Sequence, residues 1–424
     1  MNEIKQIKHQ PLEQSRRIIL IDALRGFALF GILMVNMPYM YEPMIKAMLP
    51  HETAMSGFDN ISAIFIRLFF EGKFFIIFSM LFGYGFYIFL NKSFDNENSP
   101  LPLFKKRLFI LSLLGLFHII FFWNGDVLLY YSVLGFALIL FRNVSEKKIF
   151  RWSLFFICTP IILMSLIVLF NYIGNQIPEV KTAMQSEIEK SNDSIVQMYE
   201  RLKVIYSSGS ISDIITARVN EYITLLSGSI LFYCPIVFGM FLIGFWAAKM
   251  RLANEFKNKA EFFKKVFWWC FCTGIAANFI YLFTDQYINF NSPDFKTLLS
   301  YSMSIWGGVT LGLCYVSGIV LIHIQGKKNI FEKYFVPVGR MALSNYLFQS
   351  VICGLLFHSY GLGLYGKIET WQAIILAVFI FTIQIIYSRL WLQYFYLGPF
   401  EWLWKSLTYS QLQPMKKVNN NLSR

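Results

Sequence analysis

Charge is what this sequence has least of. Asp, Glu, Lys and Arg make up 15% of its 424 residues, against 56% hydrophobic and 18% aromatic. Soluble globular domains carry about a quarter charged residues. Too little polar surface is available to cover a water-soluble globule, and that class is excluded. Cysteine is also scarce. Cys158, Cys234, Cys270, Cys272, Cys314 and Cys353 all lie in apolar segments, with no loop framework that reads as disulfides or a zinc site. Cys270 and Cys272 form a CxC pair, but two residues apart on a helix they point to different faces. No metal is implied. A phosphate loop is missing as well, because Phe82-Gly83-Tyr84-Gly85-Phe86 has no lysine and no strand before it. Its glycines read as close-packing points between helices. No internal repeat stands out, which weakens the inverted-repeat signature of many secondary transporters. The first 17 residues are polar, unlike the short basic start of a cleaved signal, so the first apolar run is expected to be a retained anchor.

What is present is a series of long apolar runs. They can be read at 18–40, 61–90, 108–123, 127–141, 152–174, 222–248, 266–284, 300–324, 335–358 and 371–391. A helix needs roughly 20 apolar residues to span a bilayer. The second run carries Arg67, Glu71 and Lys73, so it is expected to split near residue 72 into an interfacial or re-entrant stretch and a true span. The third and fourth are short and joined by Trp123-Asn124-Gly125-Asp126, which predicts a helical hairpin. The expected fold class is all-α: a polytopic membrane helical bundle of about ten transmembrane helices with N- and C-termini cytoplasmic. Residues 1–409 are expected to form a single transmembrane helical domain, with 175–221 as an extracytoplasmic amphipathic insertion and 410–424 as a cytoplasmic polar tail.

Charge placement supports this layout. With the N-terminus inside and loops alternating, the inside segments collect 26 Lys and Arg and the outside ones 8. Positive residues mark the cytoplasmic side. The net charge of +13 is spread over short runs such as Lys105-Lys106-Arg107, Lys147-Lys148 and Lys327-Lys328 rather than one patch, which argues against nucleic-acid binding.

Ionisable residues inside a span cost several kcal/mol unless they pair or face a cavity, so each is a functional candidate. In the first span Asp22 and Arg25 are three apart and can pair on one helix face. The same stripe continues through Leu29 and Leu33 to Asn36. A structural ion pair and an anion site are both open readings, since guanidinium suits phosphate and pyrophosphate. Glu71 and Lys73 form a second polar group toward the expected outer side. His118 lies near the outer end of the third span and Asp126 follows the tight turn. A carboxylate that orients an imidazole is what general-base catalysis needs, although a lone histidine in an apolar helix is often structural. His51 and His358, on the same side, are alternative bases. Asn345 and Gln349, four apart in the ninth span, either glue helices together or line a cavity.

Several stretches together resemble the YeiB-like family of bacterial inner-membrane proteins. They are Asp22-Ala23-Leu24-Arg25-Gly26 with Asn36, Gly72-Lys73-Phe74 leading to Phe78-Ser79-Met80-Leu81-Phe82-Gly83-Tyr84-Gly85, Gly115-Leu116-Phe117-His118 with Trp123-Asn124-Gly125-Asp126, Gly339-Arg340-Met341-Ala342-Leu343-Ser344-Asn345-Tyr346, and Gly398-Pro399-Phe400-Glu401-Trp402 through Tyr409. More distantly, the first span is similar to that of transmembrane acyltransferases of the heparan-glucosaminide acetyltransferase and acyltransferase-3 groups. The latter group has a histidine fourteen residues after the aspartate, where this chain has Asn36. His51 would be the loop counterpart of the former group's histidine, but its surroundings do not match that motif.

That resemblance implies an enzyme that takes an acyl group from cytoplasmic acyl-CoA, acetyl-CoA above all. The donor would sit near Asp22, Arg25 and Asn36. The acceptor would be a hydroxyl or amine of a small molecule, lipid or glycan, met by Glu71, Lys73, Asn345 and Gln349. His118 or His51 would be the base, with Asp126 orienting the ring in the first case. A transporter or exporter of an anionic or amphipathic solute, and a non-catalytic membrane partner or sensor, are the alternative expectations. The expected location is the bacterial cytoplasmic membrane, with the lipid bilayer as partner.

Overall fold

The computed structural model describes residues 19–49, 57–91, 100–252, 258–325 and 330–417. Backbone N–H and C=O groups cannot go unpaired in lipid, so apolar runs of this length become helices. In chain order these are α1 (Ile19–Tyr41), α2 (Phe58–Phe69), α3 (Phe74–Leu90), α4 (Leu101–Phe121), α5 (Leu128–Leu138), α6 (Glu146–Gly174), α7 (Pro178–Ser208), α8 (Ile211–Gly228), α9 (Cys234–Lys249), α10 (Ala260–Thr284), α11 (Phe295–Ile324), α12 (Ile330–Arg340), α13 (Ala342–Phe357), α14 (Thr370–Tyr394) and α15 (Pro399–Tyr409). Among the described residues, β pairing is confined to an isolated bridge between Phe395 and Lys416.

The protein is a multi-pass membrane bundle. Among the described residues, six helical stretches are long and apolar enough to cross a bilayer: α1, α6, Ile211–Lys249, Ala260–Tyr287, α11 and α14. Leu128–Phe141 and Ala342–Phe357 are shorter apolar helices. Burial separates centre from periphery. In its apolar window α1 is 67% buried, whereas α6 is 17% buried, so α1 sits in the middle and α6 faces outward. Outward faces carry large apolar side chains, including Phe109, Leu113 and Phe117 on α4, and Ile375, Phe379, Ile383 and Ile386 on α14. A water-soluble protein does not leave such continuous apolar stripes uncovered; lipid covers them here.

Small residues let the helices approach at backbone distance. A Cβ added at Gly83 would meet the Phe241 carbonyl oxygen at 1.9 Å, and one at Gly244 would meet that of Met80 at 1.8 Å. The α3–α9 contact therefore depends on both glycines, as the sequence reading of Gly83 anticipates. Gly26 and Gly339 do the same where α1 crosses α12, against the carbonyls of Phe335 and Asp22 at 2.1 and 1.8 Å.

Three interruptions matter. The expected split near residue 72 is the break between α2 and α3, where Gly72 adopts φ +77°, a backbone region that favours glycine. The run 335–358, expected as one span, is broken between α12 and α13. The break is stabilised from elsewhere in the chain. Glu401 of α15 accepts the N–H groups of Leu343 (2.7 Å) and Ser344 (3.1 Å) and the Ser344 hydroxyl, which satisfies the otherwise orphaned start of α13. The run at 222–248 begins earlier than expected, because α8 continues into α9 through a π-helical turn, Ser229–Tyr233. Pro235 follows at the start of α9 and has no N–H to give, and a wider turn accommodates that loss.

The amphipathic segment expected in 175–221 is α7 and the first half of α8. On α7 the buried residues Tyr199, Leu202 and Tyr206 follow steps of three and four, a single helix face. Tyr199 Oη donates to Glu42 at 2.8 Å, and the Tyr206 carbonyl accepts the N–H of Ser359 at 3.2 Å. This lays the second half of α7 against the end of the bundle where α1 and α13 finish.

Candidate functional site

The α4–α5 hairpin is built around Gly115. A Cβ there would lie 2.6 Å from the Leu129 nitrogen, so glycine lets α5 pack directly on α4. The turn then carries Asp126 back to His118 one turn further along α4. His118 Nδ1 and Asp126 Oδ1 are 2.9 Å apart, and both side chains are fully buried. Asp126 Oδ2 accepts the Leu129 N–H at 2.7 Å, in the first turn of α5. On the other side of the ring, His118 Nε2 is 2.8 Å from Ser350 Oγ on α13. With Asp126 ionised and the ring neutral, Nδ1 donates to the carboxylate and Nε2 is left as an acceptor. Ser350 then donates its hydroxyl proton to Nε2. Tyr346, one turn before Ser350, packs its ring 5.2 Å from the imidazole. Its hydroxyl donates to the Gly125 carbonyl and accepts the Val127 N–H, both at 3.3 Å. The ring and the turn are thereby locked together.

The same turn feeds a second buried cluster. Asn124 donates to Glu221 Oε2 at 2.8 Å, Tyr206 donates to the same oxygen at 2.8 Å, and Ile45 N–H donates to Oε1 at 2.9 Å. Burial, and next the Glu221 carboxylate, push the Tyr206 phenol well above its ordinary range. Arg218 donates to the Ile120 carbonyl at 3.1 Å. Arg218 Nη2 and His358 Nδ1 have no hydrogen-bond partner among the described residues.

A cavity of about 550 Å³ is lined by Tyr39, Arg67, Glu71, Tyr281, Asp285 and Tyr301 among others, and Tyr39 also borders the Glu221 cluster. Its walls are tied by an Arg67–Asp285 ion pair at 2.6 Å and a Tyr281–Glu71 hydrogen bond at 3.1 Å. Lys73, two residues after Glu71, goes elsewhere. It is 1% exposed and donates to the Arg67 carbonyl at 2.7 Å and to Asn278.

Asn345 and Gln349 turn toward α14. Asn345 donates to Ser388 at 2.9 Å, Gln349 to Gln384 at 2.9 Å, and Gln384 back to the Asn345 carbonyl at 2.8 Å. Asp22 and Arg25 pair at 3.2 Å near the start of α1, the opposite end of that helix from Tyr39. Arg107 stacks over Trp404 at 3.9 Å, joining α4 to α15. Asn36 is half-buried on α1. His51 lies outside the described residues.

Relatives match nearly the whole length of this chain. "Uncharacterized protein YxaH" of Bacillus subtilis (strain 168) is 32% identical over 423 residues, 96% of this chain and 98% of its own. The family described as "Protein of unknown function (DUF418)" matches residues 247–411. The chain belongs to the DUF418 family. "Uncharacterized protein YeiB" of Escherichia coli (strain K12) is 27% identical over 400 residues, 92% of this chain and 96% of its own. The YeiB-like resemblance read from the motifs therefore holds. An "Uncharacterized 39.9 kDa protein in amylase 3'region" of Bacillus acidopullulyticus is 24% identical over 420 residues, 96% of this chain and 97% of its own. The matched DUF418 span runs from the end of α9 to just past α15. It includes Ser350 and Glu401, while His118 and Asp126 come from the half that precedes it.

In this DUF418 chain the sequence points to His118 and Asp126 but not to their third partner. Ser350 is one of many hydroxyls in apolar helices and carries no signal of its own. Glu221 and Arg218 were also missed, being assigned to a surface insertion. Their signal was weak but present: both fall where the amphipathic pattern of α8 passes into an apolar run.

Proposed function

We propose that this DUF418 protein is a membrane acyltransferase of the bacterial cytoplasmic membrane. It takes an acyl group from a cytoplasmic acyl-CoA and passes it to a hydroxyl or amine acceptor. The observation that carries the reading is His118, fully buried, with Nδ1 2.9 Å from Asp126 Oδ1 and Nε2 2.8 Å from the Ser350 hydroxyl. A base in this setting removes a proton from a nucleophile as it attacks a carbonyl, and the carboxylate stabilises the imidazolium that forms. Arg25 and the neighbouring Arg107 suit the phosphates of the donor, with Asp22 orienting the Arg25 guanidinium. Ser350 stands about 12 Å along α13 from its first residue, at 1.5 Å per residue. The donor must therefore deliver its acyl group on a long, thin arm, as a phosphopantetheine chain does.

The test is purified protein in lipid nanodiscs with labelled acetyl-CoA and candidate acceptors. Labelled product is expected, with a loss of roughly 10²–10⁴-fold in His118→Ala. Unchanged transfer after His118→Ala and His51→Ala, singly and together, overturns it.

The 550 Å³ cavity and the broken helices favour a second reading, transport of a polar or amphipathic solute. Accumulation of solute in proteoliposomes without covalent change would support it.

A further inference from the structure

We infer that Ser350 is the nucleophile of a covalent two-step transfer, carrying the acyl group as a serine ester between donor and acceptor. The inference rests on the acyl-transfer reading above and adds a residue and an intermediate to it.

The first support is the partner: other hydroxyls meet a backbone carbonyl or, for Ser79 and Ser344, the side chains of Tyr131 and Glu401. Ser132, Ser153, Thr310 and Thr382 donate to a backbone carbonyl one turn back in their own helix. That is the ordinary way to satisfy a hydroxyl in an apolar helix. Ser350 turns instead to a histidine 232 positions away in sequence. The second support is the chain of roles. Asp126 accepts from Nδ1, Nε2 accepts from Ser350, and the remaining Asp126 oxygen is held by a backbone N–H. The same order of acid, imidazole and hydroxyl activates serine in unrelated hydrolases, and it is identified by geometry rather than by chain position. The third is dryness. Ser350 is 2% exposed and His118 0%. An ester formed there is shielded from water, which is what a transferase needs to avoid hydrolysing its intermediate.

The steps balance without an outside oxidant or metal. Ser350 Oγ attacks the thioester carbonyl as its proton passes to His118 Nε2. The C–S bond breaks, and the CoA sulfur leaves with the proton held by His118. The acceptor hydroxyl or amine then attacks the serine ester, giving its proton to Nε2. The Ser350 C–O bond to the acyl carbon breaks, and Oγ takes that proton back.

The experiment uses the full chain in nanodiscs and an alkyl fluorophosphonate, which reports serine nucleophilicity without any acyl-CoA. Peptide mass spectrometry should find the adduct on Ser350, absent in Ser350→Ala and reduced at least about 100-fold in His118→Ala. With acetyl-CoA and no acceptor, the wild type should release CoA and gain one acetyl group on Ser350. Should Ser350→Ala fail to fold, Ser350→Cys replaces it, and His118-dependent alkylation at position 350 by a chloroacetamide is the expected result. Transfer that survives Ser350→Ala but not His118→Ala overturns the inference and leaves the acyltransferase reading intact. So does an active wild type that the probe never labels at Ser350. Labelling of Ser350 with no turnover of any acyl-CoA upholds the nucleophile and removes the acyl-CoA reading.

Discussion

Helix α13 carries two polar faces, and they differ in kind. Tyr346 and Ser350 lie four apart on one face and meet His118 of α4. Asn345 and Gln349 lie four apart on the face about 100° away and meet Ser388 and Gln384 of α14. Both faces are buried, but only the Asn345 and Gln349 face is a candidate from sequence. The α14 face pairs amides and a hydroxyl, none of which changes charge near neutral pH. Its hydrogen bonds join two helices, which is the gluing role polar residues take in lipid. The α4 face pairs a hydroxyl with a titratable ring held by a carboxylate. A buried polar residue in a membrane protein is thus a weak sign of function by itself, and the partner decides the matter.

Substitutions should separate the two faces. The largest effect is expected from His118→Ala, a loss of roughly 10²–10⁴-fold in transfer rate with the helical content retained. Product formation from labelled acetyl-CoA measures it, and circular dichroism checks the fold. Asp126→Asn comes next. It keeps the shape but offers Nδ1 a different partner and removes the charge that stabilises imidazolium. The rate should fall by roughly 10²–10⁴-fold with little change in KM, and equal activity would cut Asp126 out of the mechanism. Glu401→Ala acts on both faces at once, because it frees the start of α13. About 0.5–2 kcal/mol of stability should go, the range for losing a helix cap, read as a lower midpoint of thermal unfolding. Gln349→Leu should have the smallest effect. About 0.6 kcal/mol is typical for an interhelical hydrogen bond in lipid, with transfer unchanged; a large loss of transfer would show that the α14 face belongs to the site after all.

The turn at 122–127 shows how far sequence reasoning reached. A short Trp-Asn-Gly-Asp turn between two apolar runs predicts an antiparallel helix pair, and helix geometry then brings His118 and Asp126 together. That contact is local, eight residues apart, so spacing alone suffices. Glu71 and Lys73 show where it stopped. They stand two apart, yet the break at Gly72 sends one to a cavity wall and the other into the protein beside Asn278. Periodicity cannot follow side chains through a break in the helix.

Sequence by itself determined that this is an all-helical membrane bundle, where the apolar runs fall, and that a histidine faces an aspartate across a hairpin. These follow from local facts: lipid requires every backbone hydrogen bond to close within the segment, and a tight turn fixes its neighbours. Only the tertiary structure decided that Ser350 completes the pair, that Glu401 caps the break in the ninth run, and that Asn345 and Gln349 serve α14. Each of these depends on which helices lie side by side. That choice is made by packing at Gly26, Gly83, Gly244 and Gly339, where backbones touch. Apolar runs of similar length carry no address for their neighbours, since lipid and helix are alike to an apolar side chain.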